Sequence, residues 1–337
     1  MVCLGIETTA HTFGVSIAVE ENGQGKILSN VRDSYTTKKG GMIPNQAADH
    51  HVDVCDVVLK KSLDEAKIKI DDVDVICFSQ GPGIGHTLRI GAFFARCLAH
   101  MFGKPLVGVN HCIAHLEIAR LVTDATDPVL LYVSGANTQV IAYEGQKYRI
   151  FGETLDIGIG NFLDCFAREL DLGFPGGPHV YELSLKSKKY IELPYVVKGM
   201  DVSFGGLLTN LKQKIHKSAF GKEYTKEDLC FSAQETTFAM LVEVAERALN
   251  HCDKRELVLG GGVACNKRLQ EMCHKMCKDA GFKFYVPEPQ YLIDNAAMIA
   301  WLGLLEFKVG NILNVEDSKD SKMLPYWRTD DVIVNWR

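Results

Sequence analysis

Apolar and polar residues alternate in two similar segments that lie about half a chain apart. Residues 3–19 have the pattern of a strand, a short polar turn and a second strand with Val15, Ile17 and Val19 on one face. Residues 129–143 repeat this pattern around a turn of Ser, Gly, Ala and Asn. Two such predicted hairpins indicate two similar lobes that face each other across a phosphate-binding cleft. Small polar turns expose backbone N–H groups that bind anions, but the same residues also suit ordinary tight turns.

Glycine-rich segments join a predicted strand to a predicted helix at two further places. Residues 81–91 contain four glycines, and residues 257–272 pass through three consecutive glycines. Neither segment has the Gly-Lys-Ser/Thr ending of a P-loop or the spacing of a dinucleotide fingerprint. Around Gly261 the missing side chains let a flat ring approach the backbone. Asn266 follows at the predicted helix start, where it either bonds ribose hydroxyls or caps the helix.

Two histidines, His111 and His115, lie four residues apart where the pattern predicts the start of a helix. Residues at this spacing share a helix face, so the pair can chelate a divalent metal. It has the spacing of the zinc-protease motif His-Glu-x-x-His, but position 112 is Cys, and without the general base a peptidase is not expected. A third ligand is needed. Asp294, between a polar turn and a long apolar helix, is the candidate, unless it only caps that helix; the histidines could also be an ordinary pair near a buried turn.

The composition is that of an ordinary globular protein. With 337 residues, 47% of them hydrophobic, the chain can bury a large core, and its length favours two domains. Eleven cysteines in no paired spacing, with no charged-then-apolar leader, favour a reducing cytoplasm. No apolar run approaches the roughly 20 residues that span a bilayer.

Charge is distributed unevenly along the chain. The formal net charge of −5 is the wrong signature for a protein that binds nucleic acid unaided. Basic residues are nevertheless concentrated between positions 186 and 222, and Lys38 and Lys39 add a short basic loop. The concentrated lysines are Lys186, Lys188, Lys189, Lys198, Lys212, Lys214, Lys217 and Lys222. They form either a solvated surface or one part of a phosphate-binding surface that partner subunits complete.

Seven short motifs, in this order, resemble one family across nearly the full length of the chain. They are Gly5-Ile-Glu-Thr-Thr9, Gly81-Pro-Gly83, Asn110-His111 through His115, Tyr132-Val-Ser-Gly-Ala-Asn-Thr138, Gly176-Gly-Pro178, Gly260-Gly-Gly-Val-Ala264 with Asn266, and Asp294-Asn295-Ala296-Ala297. The family is that of the tRNA threonylcarbamoyladenosine synthases. The match is to the archaeal and eukaryotic branch, the catalytic subunit of the KEOPS complex, historically described as an O-sialoglycoprotein endopeptidase.

The resemblance implies an α/β fold of the actin, Hsp70 and sugar-kinase superfamily, with two RNase-H-like lobes and a nucleotide and metal cleft between them. We expect an N-terminal lobe over residues 1–125 that holds part of the metal site. A C-terminal lobe over 126–295 would carry the nucleotide-binding loops. A helix from about 296 to 324 would pack back onto the first lobe, and residues 325–337 would form a tail.

The resemblance also implies the site. One divalent metal, iron or zinc, is expected at His111, His115 and Asp294, the catalytic residues, with Tyr132 beside them. The expected nucleotide contacts are Tyr132, Val133, Ser134, Gly135, Ala136, Asn137, Asp164, Gly177, Gly261 and Asn266. The chain departs from the family at Tyr181, where a ribose-contacting Glu is usual. Either the neighbouring Glu182 takes over that contact or the contact is absent here.

The implied reaction transfers a threonylcarbamoyl group from L-threonylcarbamoyl-AMP to N6 of adenosine 37 in tRNAs that read codons starting with A, which forms t6A and AMP. ATP or AMP analogues would occupy the same site. The implied partners are tRNA, a small dimerising subunit, a kinase-like ATPase and an accessory tRNA-binding subunit, with no membrane. Two alternatives stay open at this point: an ATPase of the same superfamily, and a scaffold that binds nucleotide only for stability.

Overall fold

The fold is built on two five-stranded sheets, seen in a computed structural model that describes residues 1–37, 41–217, 219–315 and 321–337. The first sheet consists of β1 (Val2–Glu7), β2 (Thr12–Glu21), β3 (Gln24–Ser34), β4 (Val75–Gly81) and β5 (Leu106–Asn110). The second consists of β6 (Val129–Val133), β7 (Thr138–Glu144), β8 (Lys147–Glu153), β11 (Glu256–Gly260) and β12 (Lys283–Tyr285). A small separate ribbon pairs β9 (Val197–Lys198) with β10 (Asp201–Val202).

The two sheets have the same topology. The strand orders are β3-β2-β1-β4-β5 and β8-β7-β6-β11-β12. In each sheet the first three strands pair antiparallel as a meander, and the remaining two are added in parallel. This duplication confirms the predicted fold class and both predicted hairpins.

Helices cover both faces of each sheet. They are α1 (Pro44–Ala66), α2 (Gly85–Phe102), α3 (His111–Val122), α4 (Ile159–Glu169), α5 (Gly176–Ser184), α6 (Gly205–Ile215), α7 (Lys226–His251), α8 (Lys267–Ala280), α9 (Pro289–Leu292) and α10 (Ala296–Lys308). Helices α1 and α2 pack on one face of the first sheet. Helices α3 and α10 form a central layer whose buried residues pack against both sheets. The remaining large core lies on the outer face of the second sheet.

The contact between α10 and β1 is made by backbone atoms. A Cβ on Gly5 would lie 2.3 Å from the backbone nitrogen of Ala300 and 2.7 Å from the carbonyl oxygen of Ala296. These distances are shorter than any ordinary carbon contact, so a side chain at position 5 would push the helix away from the sheet. Helix α10 is buried along most of its length in the central layer, which explains why its sequence is apolar on all sides.

The predicted helix from about 296 to 324 is wrong in length, because α10 ends at Lys308. Gly310 follows with φ +84°, a left-handed conformation that stops the helix. The chain then turns back, and the Leu313 N–H donates to the carbonyl of Leu106 on the edge strand β5, 2.8 Å away. Further on, Val334 donates to the carbonyl of Gln146 in the second lobe. The predicted tail therefore crosses from one sheet to the other.

Within the described ranges, no helix is long and apolar enough to cross a membrane. The basic loop at Lys38 and Lys39 lies outside the described residues.

Substituting Gly5 by Ala tests the close approach of β1 and α10. We expect a loss of about 1 to 3 kcal/mol in the free energy of unfolding, because overpacking separates the two elements. Gly206→Ala is the matched control, since nothing lies within 4 Å of its added Cβ. That variant should be unchanged or slightly more stable in urea-induced unfolding. Equal stability of the Gly5 variant and the wild type would contradict the packing described here.

Candidate metal and nucleotide site

His111 and His115 occupy the first turn of α3, directly after β5. The side-chain oxygen of Asn110 accepts from the backbone N–H groups of Cys112 and Ile113, at 3.0 and 3.2 Å, and so caps the helix. This cap fixes the helix start, and the four-residue spacing places both rings on one face, with ring centroids 4.9 Å apart. The predicted helix start at this position is correct.

Asp294 lies between α9 and α10 and does not cap α10. The cap is the next residue, Asn295, whose side-chain oxygen accepts from the Met298 N–H at 3.1 Å. The Asn295 amide also donates to the carbonyls of Tyr291 and Ile293, which holds the preceding loop in place. Because Asn295 does the capping, the carboxylate of Asp294 is free to face the histidines.

The three side chains meet between the two sheets. Asp294 Oδ1 lies 3.4 Å from His111 Nε2 and 3.5 Å from His115 Nε2. Among the described residues, these three form the one cluster of at least three His, Cys, Asp or Glu side chains whose ligand atoms are close enough to hold a metal ion. His115 is fully buried, and neither of its ring nitrogens has a hydrogen-bond partner. A buried, unpartnered imidazole beside a carboxylate fits a metal ion as the missing partner.

Without a bound metal, the charges of the cluster stabilise one another. Burial alone disfavours an imidazolium, but the carboxylates of Glu7 and Asp294 outweigh it and raise the pKa of His111 well above its usual value. Burial lowers the pKa of His115, so this ring is a neutral ligand. Burial opposes ionisation of Asp294, yet the two histidines hold its pKa well below the usual range.

Glu7, at the end of β1, is a site residue that the sequence analysis did not assign. It is fully buried, and its Oε2 lies 3.1 Å from Nδ1 of His111. Its other oxygen accepts from the Thr9 N–H and hydroxyl, and Thr9 Oγ1 also lies 3.2 Å from His111 Nδ1. A carboxylate on Nδ1 fixes the ring so that Nε2 points to the ligand position. A glutamate at a buried strand end was the signal that could have identified it.

Tyr132, the fourth predicted metal residue, is the penultimate residue of β6 in the second lobe. Its hydroxyl lies 3.1 Å from Nε2 of His111, and its ring centroid lies 5.0 Å from that of His115. Burial raises the pKa of the phenol well above its usual value, so the hydroxyl keeps its proton. Tyr132 therefore contributes a hydrogen-bonding hydroxyl at the edge of the cluster.

The turn between β6 and β7, residues 133–137, begins one residue after Tyr132. Ser134 closes it by bonding both the carbonyl and the N–H of Asn137. Gly135 and Ala136 are exposed, and no described residue accepts from their backbone N–H groups. Two exposed N–H groups beside the cluster can receive an anion. The turn between β1 and β2 differs, because Thr8 and Thr9 are buried and Thr9 already bonds Glu7. Of the two hairpin turns, the one between β6 and β7 is therefore the one with exposed backbone N–H groups.

The glycine-rich segment after β11 approaches the same turn. Gly261 has φ +91°, and a Cβ there would lie 2.3 Å from the carbonyl oxygen of Val133. This glycine is therefore needed for backbone packing, whatever binds beside it. Gly262 is exposed, and a Cβ there would meet only Ile293, at 4.0 Å. Asn266 caps α8 through the Arg268 N–H at 2.9 Å and donates to Gln234 at 3.0 Å.

The remaining predicted residues lie around α4 and α5. Asp164 accepts from the Gly176 N–H at 2.7 Å, and burial raises its pKa. Gly177 is the next residue in the first turn of α5. Tyr181, on the same helix, lines a cavity of about 190 Å³ together with Gln234 and Arg268. Glu182 is exposed and is not among the residues that line this cavity.

Two lobes of identical topology, with a His-His-Asp cluster and an exposed turn between them, have the two-lobed actin/Hsp70-like fold and a centre that could hold a metal ion. HypF from Thermococcus kodakarensis shares this fold, with a TM-score of 0.66 at 14% identity. The alignment covers 96% of this chain and 49% of HypF, so the chain spans about half the length of that protein.

The chain belongs to the tRNA N6-adenosine threonylcarbamoyltransferase family, whose model matches residues 26–301. It is 53% identical over 336 residues to the protein of that name from Thermococcus sibiricus, covering 100% of both chains. It is also 51% identical over 336 residues to a "probable bifunctional tRNA threonylcarbamoyladenosine biosynthesis protein" from Methanosarcina barkeri, covering 99% of this chain and 59% of that one. The resemblance drawn from the seven motifs is confirmed.

Replacing Asp294 and Asn295 one at a time separates the ligand from the cap. Asp294→Ala should abolish stoichiometric metal binding, because it removes one of three ligands, and should also lower the free energy of unfolding, because it removes one of the two carboxylates that pair with His111. Asn295→Ala should lower stability by about 1 kcal/mol through loss of the cap and still bind metal. Elemental analysis of the purified variants, with thermal unfolding in parallel, provides both readouts. Full metal occupancy in Asp294→Ala would show that this residue is not a ligand.

Proposed function

We propose that this protein transfers the threonylcarbamoyl group of L-threonylcarbamoyl-AMP to N6 of adenosine 37 in tRNAs that read codons starting with A, forming t6A and AMP. One observation carries the proposal: in a member of this transferase family, the His111, His115 and Asp294 cluster lies directly beside a turn with exposed backbone N–H groups. Transfer from an acyl phosphate donor needs these two features next to each other, one at the acyl carbonyl and one at the phosphate leaving group.

The cluster would hold one divalent metal through two imidazole nitrogens and one carboxylate oxygen, a set that suits zinc or iron. When bound, the metal supplies a Lewis acid that polarises the carbamoyl carbonyl. The protein orients this site through its own groups. Glu7 holds the His111 ring, and the Tyr132 hydroxyl lies 3.1 Å from Nε2 of that ring at the edge of the cluster. Burial of both histidines excludes water from the reacting groups.

The nucleotide would lie with its phosphate on the turn from Ser134 to Asn137 and its adenine against the glycines at 260–262. Asp164 of α4, which accepts from the Gly176 N–H, and Gly177 in the first turn of α5 would face the ribose. Asn266 would act through its bond to Gln234, since its own oxygen caps α8. Placing donor and acceptor in line matters because an exocyclic adenine amine is a weak nucleophile. The target base lies in a single-stranded loop, so little stacking energy opposes its entry.

We further propose that the protein acts in the cytoplasm, inside a KEOPS-like complex. Its net negative charge disfavours tight binding of tRNA by this chain alone. Of the basic stretch, Lys212 pairs with Glu169 at 2.7 Å, and Lys189 donates to the carbonyl of Glu223. The exposed Lys186 and Lys188 stay available for a composite surface with a small dimerising subunit, a kinase-like ATPase and an accessory tRNA-binding subunit. The lobe boundary would fall near residue 125, between α3 and β6.

A single-turnover assay tests the function. Purified protein, together with the partner subunits, is mixed with L-threonylcarbamoyl-AMP and a tRNA that reads codons starting with A, and modified nucleoside is measured by mass spectrometry. We expect t6A and AMP to form in equal amounts and both to disappear in His115→Ala. ATP hydrolysis without transfer would favour a superfamily ATPase, and nucleotide binding without either reaction would favour a scaffold.

Substitutions at Gly262 and Glu182 test the proposed nucleotide position. Gly262→Val should block AMP binding and leave metal bound, because its side chain would extend into open space where the adenine is proposed. Gly261→Val is a poor test, since it disturbs the backbone of β6. Glu182→Ala should leave AMP affinity unchanged because Glu182 does not line the cavity. Calorimetric titration measures each affinity; a loss of about 1 to 2 kcal/mol in Glu182→Ala would mean that it makes the ribose contact.

A further inference from the structure

Arg32 lies on β3, directly opposite Gly14 on β2. Residues that pair across an antiparallel ladder project to the same face of the sheet. A Cβ on Gly14 would lie 3.3 Å from the Cβ of Ala296, the first residue of α10. Arg32 therefore leaves the sheet on the face that carries the start of α10, and Asp294 precedes that start by two residues.

Hydrogen bonding supports the same placement. Arg32 Nη1 donates to the carbonyl of Gln290 in α9 at 3.3 Å, four residues before Asp294. Among the described residues, the Gln290 carbonyl is the hydrogen-bond acceptor for the guanidinium. The rest of the side chain is exposed. Partial burial lowers the pKa of Arg32, and the nearby Cys265 and Asp294 raise it. An arginine with unused donors thus lies beside the loop that carries Asp294.

The proposed donor carries an anion that the cluster and the phosphate-binding turn do not account for. Its threonyl part has an α-carboxylate, which stays charged throughout the transfer and remains in the product. The protein groups already placed at the cluster include the carboxylates of Glu7 and Asp294, which repel such a group. A third carboxylate beside them is favoured by a further cation in addition to the metal, and a planar guanidinium suits a carboxylate because it can donate two parallel hydrogen bonds.

We propose that Arg32 binds the α-carboxylate of the threonylcarbamoyl donor and thereby selects an amino-acid-derived carbamoyl group. The inference rests on the proposed function, because it assumes that the donor binds with its carbamoyl carbon at the cluster. It adds a substrate-binding residue outside the motifs that carry the family resemblance.

Binding of the donor without tRNA tests the inference. Metal-loaded protein is mixed in a stopped-flow instrument with a fluorescent AMP analogue, and displacement is measured with AMP, with L-threonylcarbamoyl-AMP, and with the corresponding donor made from 1-aminopropan-2-ol, which lacks the carboxylate. Arg32→Gln should lower the affinity for L-threonylcarbamoyl-AMP about 10- to 100-fold, as expected for the loss of a charged hydrogen bond. AMP and the carboxylate-free donor should bind equally well to the variant and the wild type.

Two further variants define the outcome. Arg32→Lys should recover part of the lost affinity, since it keeps the charge without the two-pronged geometry. Arg255→Gln is the control, because Arg255 is a surface arginine paired with Asp253. If Arg32→Gln lowered the affinity for all three ligands equally, Arg32 would act only by holding α9 through the Gln290 carbonyl, and the inference would be overturned. Unchanged donor affinity with a raised KM for tRNA would reassign Arg32 to an RNA phosphate. If the wild type bound neither AMP nor donor, the proposed function itself would fail, and the inference with it.

Discussion

The backbone contact between β1 and α10 is the constraint on which the site depends. Gly5 lets the strand approach the helix until backbone atoms touch. Two residues beyond Gly5 is Glu7, and two residues before Ala296 is Asp294, so one contact sets the distance between the two carboxylates. His111 lies between them, with Nδ1 facing Glu7 and Nε2 facing Asp294. A helix displaced by one side chain would move Asp294 away from both histidines.

The cluster also explains why the central layer tolerates buried charge. Glu7, His111 and Asp294 alternate in sign, so each buried group has an opposite charge or a hydrogen bond next to it. His115 is the exception, because its ring nitrogens are buried without partners. A cation bound to its Nε2 would give this nitrogen a partner and would also neutralise the carboxylate of Asp294. The ring nitrogens of His115 would therefore gain a partner only when an ion is bound, whereas the aliphatic cores on either side need no ion.

The sequence predicted those features that short periodicity or spacing determines. Both hairpins follow from alternation, and the histidine pair follows from the four-residue spacing and the Asn110 cap. Features that depend on contacts between distant segments were missed or assigned wrongly. Glu7 reads as an ordinary strand end until β1 is placed beside α3. For Asp294 the sequence leaves a metal ligand and a helix cap open, and the structure gives the cap to Asn295. The end of α10 has a local signal in Gly310, which the prediction overlooked, whereas the bond from Leu313 to β5 is a long-range contact that no local pattern predicts. Gly261 shows the same limit, since its neighbour is the backbone of another strand.

The central claim is that α3 and the loop before α10 together hold one metal ion. Anomalous diffraction from crystals of the metal-loaded protein, collected at the absorption edges of zinc and iron, measures this most directly. We predict a single strong peak about 2.0 to 2.2 Å from Nε2 of His111, Nε2 of His115 and a carboxylate oxygen of Asp294. Glu7 should remain on the far side of the His111 ring. A peak bound through Nδ1 of His111, or at the cysteines of α8 with the histidine cluster empty, would contradict the account.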